Sequence, residues 1–140
     1  MKKTFFILLS LLLCIAYISH AQIYISSEAS KKITGADCIA FKEGHDLPVY
    51  LKLRQGYEIN FSEWQQWISK VMKLNPKIGF SISNIQKDQT GDLHYRYVQT
   101  YDNVPIHGAV LIVHSKNGKV YSFNGELVST LSIANSNVLS

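Results

Sequence analysis

Apolar and polar residues change their spacing several times along this chain, and each change marks a different element. From Phe5 to Ile18 the apolar residues run without interruption except at Ser10. Residues 22–36 are polar and serine-rich after a short apolar start, which predicts a flexible leader. Val49 to Leu53 alternates apolar and polar positions, the period of a half-buried strand. Pro48 stands at its start, where a missing N–H does little harm. Between Ser62 and Leu74 the period changes to that of a helix. Trp64, Trp67, Ile68, Val71 and Leu74 recur at i, i+3, i+4, i+7 and i+10 and form one apolar stripe. Two starts fit a capping box, Asn60 with Glu63 and Ser62 with Gln65. Asn75-Pro76 stops the helix, because proline cannot continue it and restricts its predecessor.

From Gly79 onward the pattern is that of strands. Phe80, Ile82 and Ile85 predict one strand, and Asp88 to Gly91 a turn. Leu93–Tyr101 and Val104–His114 predict a hairpin closed by Asp102-Asn103, two residues that tolerate positive φ. Asn117-Gly118 predicts a second hairpin, and Asn124-Gly125 a further turn after a strand from Val120 to Phe123. The expected class is α+β, with one amphipathic helix packed on an antiparallel β-meander.

A two-residue loop at 102–103 pairs Tyr101 with Val104, and uniform pairing sets the rest. Tyr97 then faces Gly108, Tyr95 faces Val110 and Leu93 faces Ile112. The face expected under the helix carries Leu93, Tyr95, Tyr97, Gln99, Tyr101, Val104, Ile106, Val110 and Ile112. His94, Arg96 and His107 lie on the opposite face, and His114 points away from His94 and His107. His94 and His107 are offset by about four residues, roughly 13 Å at ~3.4 Å per residue. Zinc needs its nitrogens at ~2 Å, so no metal site is expected.

Charge changes the picture only at the N-terminus. The formal net charge is +4, from 14 Lys and Arg against 10 Asp and Glu. Lys2 and Lys3 precede the apolar run, and Ser19-His20-Ala21 follows it, the layout of a signal peptide cleaved after Ala21. The run is shorter than the roughly 20 residues a membrane span needs. Cys14 follows Leu12-Leu13, where a lipobox needs small residues. Residues 1–21 are therefore expected to direct secretion and leave no stable membrane insertion. Without Lys2 and Lys3 the basic count falls to 12 against 10 acidic residues, a net charge of +2. The longest basic run left is Lys31-Lys32, which excludes a nucleic-acid stripe. Cys38 then lacks a second cysteine for an internal disulfide. No H-E-x-x-H, G-x-S-x-G, P-loop or dinucleotide fingerprint is present, so no catalytic residue or cofactor is expected.

The stretch from Gly91 to Ala109 resembles the fungalysin/thermolysin propeptide (FTP) family. The family pattern is His-x-Arg-Tyr-x-Gln-x-Tyr, a tight turn, Val-Pro-Val, a small residue and an apolar strand ending near a histidine. Here those places hold His94, Arg96, Tyr97, Gln99, Tyr101, Val104-Pro105-Ile106, Gly108 and His114. Gly118-Lys119-Val120 and Asn124-Gly125 continue the match, which covers about residues 88–128. Asp102-Asn103 replaces the family's usual Asn-Gly, and both residues can still take positive φ.

The resemblance implies a non-catalytic propeptide domain at residues 37–131. It would act as intramolecular chaperone and inhibitor of a secreted thermolysin-like zinc metallopeptidase. Its implied partners are the protease domain and a PepSY-type pro-domain, toward which residues 132–140 would form a linker. Zinc is expected only in the catalytic domain. His94, Arg96 and His107 are the expected partner-binding residues. Tyr97, Gln99, Tyr101, Pro105, Gly108, Asn124 and Gly125 are expected to determine the fold. The alternative is a stand-alone secreted binding module or a protease inhibitor acting in trans.

Overall fold

The computed structural model describes residues 21–129. The predicted signal peptide and the predicted 132–140 linker fall outside them, apart from Ala21. In chain order the elements are β1 (Gln22–Ile25), α1 (Ser26–Lys32), β2 (Ala36–Phe41), β3 (Pro48–Leu53), β4 (Ile59–Asn60), α2 (Trp64–Val71), β5 (Ile78–Lys87), β6 (Leu93–Tyr101), β7 (Val104–Lys116) and β8 (Lys119–Glu126). The strands pair antiparallel throughout, in the order β1-β2-β3-β8-β7-β6-β5, and β4 pairs with β8. The α+β expectation holds at that level.

Its details change. There are two short helices among the described residues, not one. The meander accounts for β5 to β8 only; β3, β2 and β1 extend the sheet beyond β8. Residues 22–36, expected as a leader, form β1 and α1. Ala29 and Ala36 are completely buried there. Both are small, so they give little signal of burial in a polar, serine-rich stretch.

The apolar stripe of α2 is buried as expected. Trp64 and Ile68 face the sheet, and Trp64 lies 4.8 Å from Tyr97 and 5.3 Å from Phe80 between ring centroids. Trp67 stacks on Phe123 at 5.8 Å. Neither capping box forms a cap: the helix begins at Trp64 without a side-chain cap bond, and Asn60 donates instead to the Glu63 carboxylate at 3.3 Å. The helix also stops three residues before Leu74. Lys73 takes a φ of 51°, its N–H meets the Lys70 carbonyl at 3.3 Å, and the Leu74 N–H meets the Ser69 carbonyl at 2.9 Å. That is a Schellman ending with lysine in glycine's usual place. Pro76 lies beyond a helix that has already closed.

The two hairpin turns form as read. Asp102 and Asn103 have φ of 47° and 68°, and Asn117 and Gly118 have 51° and 75°. Asn124-Gly125 is no turn; it lies within β8, where Gly125 pairs with Leu111. A Cβ on Gly125 would sit 2.0 Å from the Val110 carbonyl oxygen, so glycine is needed for close approach of two strands. The long edge strand β5 leaves Ile82 and Ile85 about half exposed, at 52% and 53%.

Candidate functional site

The hairpin of β6 and β7 is where the sequence-derived register and the structure part. Tyr101 pairs with Val104 and Thr100 with Pro105, as read. Beyond Gln99 the register jumps: Val98 pairs with Val110, Tyr97 with Leu111, Tyr95 with Val113 and His94 with His114. One residue on β6 thus faces four on β7, Ile106 to Ala109. The shift of three is odd, so it reverses the faces of everything that follows on β7. Ala109, Leu111 and Val113 are buried, whereas Val110 and Ile112, expected under the helix, face the other side and are half-buried.

Gly108 explains the jump. It sits in this bulge at φ +79° with nothing near its would-be Cβ. Its role is backbone freedom, not room for the Tyr97 ring as the uniform register implied. Pro105 enters the bulge from an exposed position, and Tyr101 is half-buried beside Lys77.

Gln99 lies opposite the bulge and is fully buried. Its side-chain amide donates to the Val128 carbonyl at 2.6 Å and accepts from the Val128 N–H at 2.8 Å. It therefore pairs with the backbone after β8 as a neighbouring strand would. Tyr97 is buried against Trp64, and burial raises the pKa of its phenol. Tyr97 and Gln99 thus both make buried contacts, one with the helix and one with the backbone after β8. The Gln99 partner was not legible, because Val128 follows the last strand.

The same shift brings together two histidines that uniform pairing separated. His94 and His114 are cross-strand partners on the face away from α2, with their Nδ1 atoms 2.6 Å apart. Asp88 Oδ2 lies 3.1 Å from His94 Nε2, and Asn124 Oδ1 meets His114 Nε2. Asp88 Oδ1 accepts from the Thr90 hydroxyl and N–H, each at 2.8 Å, and from the Asp92 N–H at 2.9 Å. The Thr90 hydroxyl foremost, then His94 and these amides, hold the Asp88 carboxyl down at a pKa of about 2. Asn124, expected in a turn, orients the His114 ring instead.

Next to this network Tyr121 donates to Asp92 Oδ2 at 3.1 Å. Burial, then this bond, raises the Tyr121 pKa. Lys116 Nζ lies 3.0 Å from Asp92 Oδ1, an ion pair without hydrogen-bond alignment. Glu58, Asn117 and Lys119 join Asp92, Lys116 and Tyr121 around an open pocket of about 460 Å³.

Arg96 is exposed on the face of the histidine pair, and no carboxylate among the described residues pairs with it. His107 is exposed in the bulge. The structure thus joins His94 to His114 and not to His107, which corrects the expected facing of His114. Cys38 is a half-buried free thiol. No group of three or more His, Cys, Asp or Glu side chains suited to a metal occurs among the described residues. No helix among them is long and apolar enough to cross a membrane.

In class, the chain is an antiparallel α+β domain whose distinctive polar residues tie the β6–β7–β8 ladder together. Residues 79–127 specify it further, because they match the Fungalysin/Thermolysin Propeptide Motif. Bacillolysin of Bacillus amyloliquefaciens is 38% identical over 69 residues, which span 49% of this chain and 13% of that protein. No solved structure matches the chain.

Proposed function

We propose that this chain serves a secreted thermolysin-type zinc metallopeptidase as a pro-region module, assisting the folding of the protease domain and holding it inactive. The observation that carries the reading is the propeptide motif at residues 79–127, joined by the likeness to bacillolysin. The non-catalytic character of such a domain fits a docking role. Residues 1–21 would direct export, and a PepSY-type domain would share the docking. The catalytic zinc would belong to the protease domain.

Arg96 and His107 are suited to contact the protease because both are exposed and neither supports the helix-covered core. His94 is suited to a different task, since its ring is held between Asp88 and His114. An unpaired arginine at a sheet surface is a ready partner for a carboxylate, which it can meet with two parallel hydrogen bonds.

The test is to refold denatured bacillolysin protease domain with and without this chain, then assay peptidase activity. Faster recovery of folded enzyme together with inhibition by excess chain is expected. Identical recovery and no inhibition would defeat the reading. Arg96→Ala should keep the folding stability within ~0.5 kcal/mol of the parent, as surface changes usually do. The same variant should weaken inhibition severalfold; a lower melting temperature with unchanged inhibition would make Arg96 structural.

A further inference from the structure

We propose that His94 and His114 form a binding site for one divalent transition-metal ion of the zinc or copper class, held between their Nδ1 atoms. The ring partners lead to this. His94 Nε2 faces a carboxylate oxygen of Asp88, and His114 Nε2 faces the amide oxygen of Asn124. Both oxygens only accept, so each Nε2 carries its proton. A neutral imidazole has a single N–H, which leaves a lone pair on each Nδ1. Those lone pairs point at each other across 2.6 Å. Two facing lone pairs repel, and a cation that accepts both relieves the repulsion.

Imidazole nitrogen suits zinc and copper. Metal-binding histidines characteristically donate their other ring N–H to a carboxylate or carbonyl, which fixes tautomer and orientation. Asp88 and Asn124 occupy those positions on the two rings. Zinc takes nitrogen at ~2.0–2.1 Å, and a tetrahedral angle then separates two ligand nitrogens by roughly 3.3 Å. The rings need to part by less than about 1 Å to admit it. The His94 side chain is 25% exposed, which gives an entry path and lets water complete the coordination. The Tyr121 ring, 6.1 Å from His114, walls the other side.

The charged groups around the pair are Asp88 from the β5–β6 turn, Arg96 on β6, and Asp92 with its Lys116 partner. A proton is the rival for the same lone pairs. Protons compete for them, so affinity for the metal falls as pH is lowered.

The experiment titrates zinc chloride into the ¹⁵N-labelled chain near pH ~7.5, because histidine binds metal in its neutral form, and follows the histidine ring nitrogens. The Nδ1 resonances of His94 and His114 should shift together and saturate at one equivalent. Copper(II) added instead should give an electron paramagnetic resonance spectrum with coupling to two nitrogens. His94→Gln and His114→Gln should each lower affinity at least tenfold. Asp88→Asn should lower it roughly 10–100-fold, and His45→Gln should leave it unchanged. Nδ1 resonances that respond to pH but stay fixed in millimolar zinc would overturn the proposal, as would unchanged affinity in both folded histidine variants. The ring-nitrogen measurement uses the unaltered chain, so it decides the matter even where a variant fails to fold.

Discussion

The two halves of the sheet are built on different terms. Strands β5 to β8 follow one another in sequence and in space, joined by short turns whose residues take positive φ. Strands β1 to β3 reach the rest through β3, which pairs with β8 across a long stretch of chain. The propeptide match at 79–127 covers the first group and stops short of the second. Yet Trp64 of α2, outside the match, fills the space against Tyr97, Phe80 and Phe123 inside it. Ile39, Leu51 and Leu53 of β2 and β3 join the same core. The matched motif therefore holds the distinctive polar residues, while the unmatched half supplies much of its hydrophobic cover.

This contrast can be broken first at Gly125. Gly125→Val would drive a side chain into the Val110 carbonyl, and we expect a loss of more than about 3 kcal/mol in chemical denaturation. A near-normal midpoint would mean that β7 and β8 are not closely joined there.

Gln99→Leu comes next, at about 2–3 kcal/mol, because it strands the Val128 N–H and carbonyl in the interior. The same variant should speed hydrogen exchange at the Val128 amide; unchanged protection there would dismiss the clamp.

Ala29→Leu probes the other half. Ala29 has no exposed surface, so added methyl groups should cost about 1–3 kcal/mol. A variant that melts like the parent would return residues 22–36 to the status of a loose leader.

Acid provides the mildest perturbation, and through Asp88 it bears on the matched half. The Asp88 carboxyl is held at about 2 against an ordinary 3.8. Its contribution is present above the ordinary value and fades as pH falls from about 3.8 toward 2. Parent and Asp88→Asn stabilities should therefore differ at neutral pH and converge over that window. A difference that stays constant through it would refute the charge-based account.

What the sequence disclosed follows the same division. Asp102-Asn103 and Asn117-Gly118 reveal their turns because the residue types answer a local backbone need. Trp64 and Ile68 reveal a buried helix face because burial repeats with the helical period. The bulge at Ile106–Ala109 left no mark in alternation, since the residues before it and after it alternate equally well. Gly108 was its only token, and glycine has several uses. The histidine pair was hidden by the same jump, because a three-residue shift reverses every side chain beyond it. The order within residues 22–36 was hidden for another reason: Ala29 and Ala36 enter the core without a large side chain to announce it.

The Gln99–Val128 pairing also has a mechanical consequence. β8 is flanked by β7 on one side and by β3 and β4 on the other, so it cannot be peeled away as an edge strand can. A pull on the chain beyond Val128 first meets the two hydrogen bonds of a buried glutamine. It is then shared between two ladders of backbone bonds. Tension on the chain after Val128 is thus carried into the middle of the sheet.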